Sequence, residues 1–226
     1  MPEKRNRSFV TFEKCYLDKI DWYDSSEVYN DLVMLFENAN KNLLKIDSAL
    51  IKGNVSERTI CAALMLHLSK SLKKTPFHKY FTDVEYNRNK NGIVKTIIDE
   101  NEVITTITCD LIVHSRGSYT QQDNLIALEM KKSNRKKTEK QKDKNRLIAL
   151  TKDGYSTWSY DGGVTLPEHV CRYILGIYYE INLNKHYIYL EYYRHGELLC
   201  SKKNRYIDDF VEWNLVQRLK EVILFS

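Results

Sequence analysis

The sequence predicts an α/β sandwich with a helical extension in front of it. The first observation is the order of patterned segments: helix, strands, helix, strands. The second is period. Apolar residues recur every three or four positions before residue 73, whereas short apolar runs with strand character dominate between 82 and 194. The third is size: 226 residues, 42% of them hydrophobic, suffice for a substantial core. Residues 1–53 are read as the extension and 54–226 as the domain proper, the two forming one compact unit.

Residues 1 to about 25 are polar with scattered aromatics and carry no clear period. From Glu27 to about Lys52, Val28, Leu32, Leu35, Phe36, Ala39, Leu43, Ile46 and Leu50 define one amphipathic helix, ended by Gly53. Asn54 or Ser56 caps the next helix. Ile60, Ala63, Leu64, His67, Leu68 and Leu72 line one of its faces, and Pro76 follows its end. Thr82–Arg88 reads as a short strand, Ile93–Ile98 as another and Thr105–His114 as a third. Nine residues, Ser115 to Asp123, then form a hairpin loop with Gly117, Ser118, Gln121 and Gln122, leading into the strand Leu125–Lys131. Thr138–Leu150 reads as a strongly basic helix. Gly154, Asp161, Gly162, Gly163 and Pro167 mark loops. Two aromatic strands follow, Tyr173–Ile181 and His186–Arg194, joined by Asn182-Leu183-Asn184-Lys185, and Ile207–Leu224 reads as a final helix. Tyrosines 173, 178, 179, 187, 189, 192 and 193 crowd these strands. Strand propensity on a half-buried sheet explains them better than a platform for stacking bases.

Three charges interrupt the apolar strands. Asp110 stands between Ile107-Thr108-Cys109 and Leu111-Ile112-Val113. Glu129 and Lys131 close the run Leu125-Ile126-Ala127-Leu128. Charges in buried strands are costly unless something pairs with them. A hydrated divalent cation would pair with the carboxylates, and phosphodiester hydrolysis needs such a cation. Side chains two apart share a strand face, so Glu129 and Lys131 point the same way as Leu125 and Ala127. Neighbouring antiparallel strands lie about 4.8 Å apart. In a suitable register Asp110 and Glu129 share one cation, but the sequence leaves that register open. Hard oxygen ligands without a thiolate cluster favour Mg²⁺ or Mn²⁺ over zinc.

Asp110, Glu129 and Lys131, with Glu57 on the upstream helix, resemble the motif of the PD-(D/E)XK nuclease superfamily, over roughly residues 55–195. The resemblance implies a restriction-endonuclease-like α/β sandwich, with a central mixed sheet flanked by helices. It implies that Asp110 and the Glu-x-Lys pair lie on adjacent strands and that the helical acid completes a metal site of Asp110, Glu129, Met130 and Glu57. Lys131 would orient or help deprotonate the attacking water and offset transition-state charge. Two departures stand out. Cys109 occupies the place of the name-giving proline, and Gln141 is followed four residues later by Asn145 rather than the Tyr of the exonuclease-like branch. Glu57 has a competing assignment as a capping-box residue. Glu85, on the first strand, is a further acid that would approach the site.

The net charge is +5 and the pI about 8.8, with 29% charged residues. From Lys131 to Arg146 nine Lys or Arg face only Glu139 and Asp143. Lys132, Arg135, Lys136, Lys137 and Lys140 are therefore expected to meet phosphates, with a solvated helix face as the alternative. Asp143 and Arg146, three apart, suit an ordinary ion pair. His67 and His114 read as satisfied core or strand histidines. The five cysteines, at 15, 61, 109, 171 and 200, include no Cys-x-x-Cys pair and fit buried thiols in a reducing compartment. No apolar signal region follows Met1-Pro2-Glu3-Lys4-Arg5 and no run reaches the length of a membrane span, so a cytoplasmic location is expected. The expected partner is nucleic acid, with DNA favoured over RNA on the family's base rate. The absence of a separate reader domain suits a weakly specific or partner-coupled enzyme, and leaves a homodimer or a protein partner open. A defence or mobile-element setting suits a small stand-alone member. The rival is a non-catalytic nucleic-acid-binding or assembly subunit that keeps the fold.

Overall fold

The computed structural model describes residues 21–86, 96–98, 104–106, 108–119, 121–154, 170–207 and 210–218. The chain is α/β. Helices α1 (Ser26–Ile46), α2 (Ser48–Lys52) and α3 (Glu57–Leu72) precede strands β1 (Phe81–Val84), β2 (Thr96–Ile98), β3 (Ile104–Thr106), β4 (Leu111–His114) and β5 (Asn124–Lys132). Helix α4 (Lys137–Thr151) follows, then β6 (Leu175–Asn182), β7 (Tyr187–Arg194), β8 (Glu197–Ile207) and β9 (Phe210–Arg218). Seven strands form one sheet in the order β1-β4-β5-β6-β7-β8-β9, and β2 and β3 form a separate antiparallel pair. The large sheet is mixed: β5 and β6 run parallel, joined through α4, and the other neighbours run antiparallel. No helix among the described residues is long and apolar enough to cross a membrane.

Strand alternation divides the core in two. On one face Ile126, Leu128 and Met130 of β5, with Ile177, Tyr179 and Ile181 of β6, meet Leu32, Phe36 and Leu43 of α1 and Leu64 and Leu68 of α3. Helix α1 therefore shares the core of the sheet. On the other face Ile112, Ala127, Tyr178 and Tyr193 pack with Leu147 and Leu150 of α4. The crowded tyrosines are core: Tyr173, Tyr178, Tyr179, Tyr192 and Tyr193 are buried. Tyr179 donates to Asn40 at 2.8 Å and Tyr192 to Glu37 at 2.6 Å, which satisfies hydroxyls that burial would otherwise penalise.

Several sequence expectations change in detail. The single helix over 27–52 is broken at Asp47, whose backbone leaves helical values and whose carboxylate lies 2.6 Å from His67 Nε2. Ser56, not Asn54, caps α3 by accepting from the Thr59 N–H at 3.1 Å. Glu57 is then the first helical residue, two short of the capping-box position. The expected strand Thr105–His114 is split: Ile104–Thr106 pairs with β2, and only Leu111–His114 joins the main sheet. The expected final helix is overturned over 210–218, where β9 pairs with β8 from Ile207↔Phe210 to Cys200↔Arg218. An aromatic and β-branched stretch fits strand and helix patterns alike, and the β8 ladder decides between them. Residues 87–88, 93–95, 107, 208–209 and 219–224 of the expected elements lie outside the described residues.

Helix α4 sits close to β6 because Gly176 lacks a side chain. A methyl group there would lie 2.9 Å from Thr151 Cγ2 and 3.1 Å from Tyr193 Cβ. Gly176→Ala is predicted to cost about 1–3 kcal/mol by overpacking. The entropic gain from a stiffer unfolded chain, about 0.4–1 kcal/mol, is too small to cancel it. Urea unfolding measures the net loss. Adding Thr151→Ser, which removes the crowded methyl and keeps the hydroxyl, should recover part of it.

Candidate functional site

The β4–β5 register supplies what the sequence left open. Leu111 pairs with Leu128, so the residues just beyond, Asp110 and Glu129, stand opposite one another. Opposite residues of an antiparallel pair share a face, and Lys131, two beyond Glu129, shares it too. This is the α4 face. Asp110 sits at the mouth, with its side chain 29% exposed, while Glu129 is fully buried. The backbone around Asp110 is held from β1. Its carbonyl accepts from the Glu85 N–H at 3.3 Å. Glu85 has a φ of 50°, an unfavourable conformation for a residue with a Cβ, and its carboxylate pairs with Arg58 at 2.9 Å.

Helix α4 delivers two more charges to the same place. Asp143 and Arg146 lie on its inner face with Leu147 and Leu150. Lys131 Nζ lies 3.1 Å from Asp143 Oδ2 and 3.7 Å from Asp110 Oδ2, and it donates to the Met130 carbonyl at 3.3 Å. Arg146 donates to Glu129 Oε1 at 2.6 Å and lies 3.5 Å from Asp143 Oδ1. The five charges form a ring: Asp110, Lys131, Asp143, Arg146, Glu129. Signs alternate around it except where Glu129 meets Asp110. At that junction each carboxylate has an oxygen to spare. The Met130 N–H fixes Asp110 through Oδ2 at 2.7 Å, which leaves Oδ1. Glu129 Oε2 is buried with no hydrogen-bond partner among the described residues.

The electrostatics follow from this layout. Complete burial, and then the facing Asp110 carboxylate, push Glu129 well above the ordinary carboxylate range despite Arg146. Burial raises Asp143 as well, more than Lys131 and Arg146 lower it. Burial works against the Lys131 ammonium, but Asp110 and Asp143 outweigh it and hold its pKa above the ordinary lysine value.

The structure thus brings Asp110, Glu129 and Lys131 together, and it does not bring Glu57 to them. Glu57 accepts from the Lys132 N–H at 2.8 Å and from Arg135 at 3.1 and 3.3 Å. Both its oxygens are engaged, and its pKa falls because these donors outweigh its burial. It clasps the turn between β5 and α4 to the start of α3. The Met130 side chain points to the opposite face, with Sδ 3.6 Å from Cys61 Sγ, so only its backbone N–H and carbonyl face the ring. Among the described residues no group of three or more His, Cys, Asp or Glu is arranged to hold a metal. Mg²⁺ and Mn²⁺ do not require one: Mg²⁺ in particular commonly takes one or two carboxylates and keeps several waters. Asp110, Glu129 and the Met130 carbonyl, which also accepts from Lys131, offer hard oxygen atoms of the kind such an ion takes, and Glu129 Oε2 has no hydrogen-bond partner among the described residues. The residues fit such an ion.

The basic run divides in a way its composition conceals. Lys140 pairs with Glu180 at 3.0 Å and donates to the Ser133 carbonyl at 2.6 Å. Lys144 pairs with Glu191 at 2.7 Å. Arg135 holds Glu57, and Lys132 donates to Asn54 Oδ1 at 2.7 Å. Of the five residues expected to meet phosphates, Lys132, Arg135 and Lys140 are therefore committed within the chain, while Lys136 and Lys137 are exposed, as is Lys142. The sequence pattern suggests an ordinary helical pair for Asp143 and Arg146 and does not show that both reach β5. Their spacing with Leu147 and Leu150, which puts them on the buried side of α4, is the signal that would have found them.

No family model, curated protein or solved structure matches this chain.

Arg146→Met leaves the buried Glu129 without its cation, a change that typically costs about 3–5 kcal/mol where the carboxylate is ionised. The pH dependence has a definite sign. A carboxyl whose folded pKa is raised gives its full stability below the unfolded value and loses it as pH rises through the folded value. Removing Arg146 raises the folded value further. The gap between variant and wild type should open only as pH rises through the raised wild-type value and widen above it, measured by urea unfolding in chelator. Glu129→Gln in the same background should close most of it. A gap independent of pH would mean that Glu129 does not depend on Arg146.

Proposed function

We propose that the chain is a metal-dependent nuclease of the PD-(D/E)XK type, hydrolysing phosphodiester bonds, with DNA the favoured substrate, and acting in the cytoplasm. The observation that carries this reading is the register that sets Asp110 opposite Glu129, with Lys131 on the same face and a buried Glu129 oxygen left unpartnered. Mg²⁺ or Mn²⁺ held by Asp110, Glu129 and the Met130 carbonyl would polarise the phosphate and lower the pKa of water. The Met130 N–H fixes Asp110 through one oxygen and leaves the other free. Arg146 anchors the Glu129 carboxylate through Oε1 and leaves Oε2 for the ion. The Lys131 ammonium, at the partly open mouth, donates to phosphate oxygens as negative charge grows on them. Cys61, Cys109, Cys171 and Cys200 are thiols rather than disulfides, which fits a reducing compartment.

One observation favours the rival, a non-catalytic nucleic-acid-binding subunit: Arg146 already supplies Glu129 with a cation at 2.6 Å. Cleavage separates the two readings. Wild type should cut a DNA duplex with Mg²⁺ or Mn²⁺ and stop in EDTA. Lys131→Met should lose on the order of 10²-fold to 10³-fold in single-turnover rate while DNA affinity holds. Asp110→Asn should be as slow but partly rescued by excess Mn²⁺, which should not rescue Lys131→Met. Wild-type cleavage in excess chelator overturns the metal mechanism, and an unchanged rate in Lys131→Met transfers the chain to the binding-subunit reading.

Binding itself should depend on the uncommitted lysines. Replacing Lys136, Lys137 and Lys142 by Ala should flatten the slope of log affinity against log salt, by roughly one unit for each phosphate left without its lysine. Replacing Lys140 and Lys144 should instead lower the unfolding midpoint, because their partners Glu180 and Glu191 lie in the sheet. An unchanged slope in the first set would move the nucleic acid off α4.

A further inference from the structure

We propose that Asp143 is a positioning residue: its carboxylate draws the Lys131 ammonium away from Asp110 and so keeps Asp110 and Glu129 open to a divalent cation. The inference rests on the metal-dependent reading of the site. It concerns a residue of α4 that the Asp, Glu-x-Lys pattern does not include.

The geometry poses a conflict that Asp143 resolves. Lys131 sits on the same strand face as Glu129, across from Asp110, and its chain is flexible. Left to itself, an ammonium beside two carboxylates closes onto them and takes the position a metal needs. Its Nζ instead lies 3.1 Å from Asp143 Oδ2 and 3.7 Å from Asp110 Oδ2, with the Met130 carbonyl at 3.3 Å. The nearer carboxylate is the one on the helix. The Met130 carbonyl is a hydrogen-bond acceptor for Nζ and the two carboxylates are ion-pair partners, the one to Asp110 being the longer contact.

Asp143 is itself fixed. Its side chain is 6% exposed, and its other oxygen lies 3.5 Å from Arg146, which in turn holds Glu129. The helix carrying it is seated by Lys140 on Glu180 and Lys144 on Glu191, so its distance from β5 is set independently of the site. A buried carboxylate is costly to maintain and needs a partner in place. Here the partner is the residue whose position matters most to the chemistry. The other groups facing Lys131 are Glu180, opposite it on β6 but paired to Lys140, and Glu129, taken by Arg146.

The test is a double-mutant cycle read by Mn²⁺ binding, followed through the free-ion electron paramagnetic resonance signal of the full chain without nucleic acid. Asp143→Asn should weaken Mn²⁺ binding by about 5-fold to 20-fold, because Lys131 then swings onto Asp110. Lys131→Met alone should bind Mn²⁺ at least as tightly as wild type. In the Lys131→Met background, Asp143→Asn should cost less than about threefold, the residue of a removed negative charge nearby. Asp143→Glu, which keeps the charge, should stay within about threefold of wild type and guards against a folding defect, which a thermal scan would also reveal. Equal Asp143→Asn penalties in both backgrounds overturn the proposal and make Asp143 a ligand or a fold element. Wild type that binds no Mn²⁺ at millimolar concentration overturns the metal reading beneath it, an outcome distinct from equal penalties.

Discussion

The fold depends on a basic helix lying on an acidic sheet. Row by row, the α4 face of the sheet carries Asp110 beside Glu129, Tyr178 and Glu191, and then Lys131 beside Glu180 and Tyr189. Buried carboxylates at that density would repel one another and lose their hydration. Helix α4 brings Lys140 to Glu180, Lys144 to Glu191 and Arg146 to Glu129. The tyrosines complete the set: Tyr193 donates to Glu191 at 2.6 Å, Tyr189 to Glu191 at 2.9 Å and Tyr178 to Glu180 at 3.1 Å. Lys144 also lies 4.7 Å from the Tyr178 ring. The apolar seal from Leu147 and Leu150 covers only the far half of the helix. The near half is held by charge.

That arrangement explains why the candidate site lies at the β5 end of the interface. Across β6 and β7 every acid has a lysine and a hydroxyl. At the β4–β5 edge the helix supplies Arg146 to Glu129 and adds an acid, Asp143, rather than a further cation. Lys131 comes from the sheet. The count there is three carboxylates against two cations, and the unmatched charge falls where Asp110 meets Glu129. Asp143 is an added buried acid, costly to bury and partnered by Lys131 and Arg146. On the proposed metal-dependent reading, that excess is the charge a divalent cation would neutralise.

How much was legible in the sequence follows from the range of each interaction. Helices α1 and α3 showed through their apolar period, and the β4–β5 hairpin through its turn residues, because both are local. The face shared by Glu129 and Lys131 was legible from strand geometry alone. The register of Asp110 against Glu129 was not, since it depends on the length and anchoring of the 115–123 loop and on the irregularity at Val113/His114. The direction of the basic run was hidden for a different reason. The carboxylates that claim Lys140 and Lys144 lie on β6 and β7, far along the chain, and a helix that is basic all round looks solvated. A clue was present: Glu180 and Glu191 sit inside aromatic strands, where an acid needs a partner. Strand β9 carries a helix-like pattern because its pairing with β8 is tertiary information. Glu57 was drawn into the site by the resemblance, yet the backbone N–H of Lys132 and the guanidinium of Arg135 reach it first.

The like-charge junction between Asp110 and Glu129 can be relieved in two ways, by a proton or by a cation. Burial favours the proton, since it penalises a charged Glu129 and raises its pKa. Geometry favours the cation. Asp110 is partly exposed, so an ion has a route in, and the Met130 carbonyl adds an oxygen that a protonated pair does not need. The cations beside the junction are held by other partners: Arg146 is spent on Glu129 Oε1, and Lys131 lies nearer Asp143 than Asp110. A proton satisfies one oxygen of one carboxylate, whereas a divalent ion satisfies both acids and restores the alternation of charge around the ring. On the proposed reading, the same buried acid that weakens the site without an ion would strengthen it with one. The proposed metal-dependent reading would trade stability for affinity in this way, with the partly exposed Lys131 ammonium beside the ion.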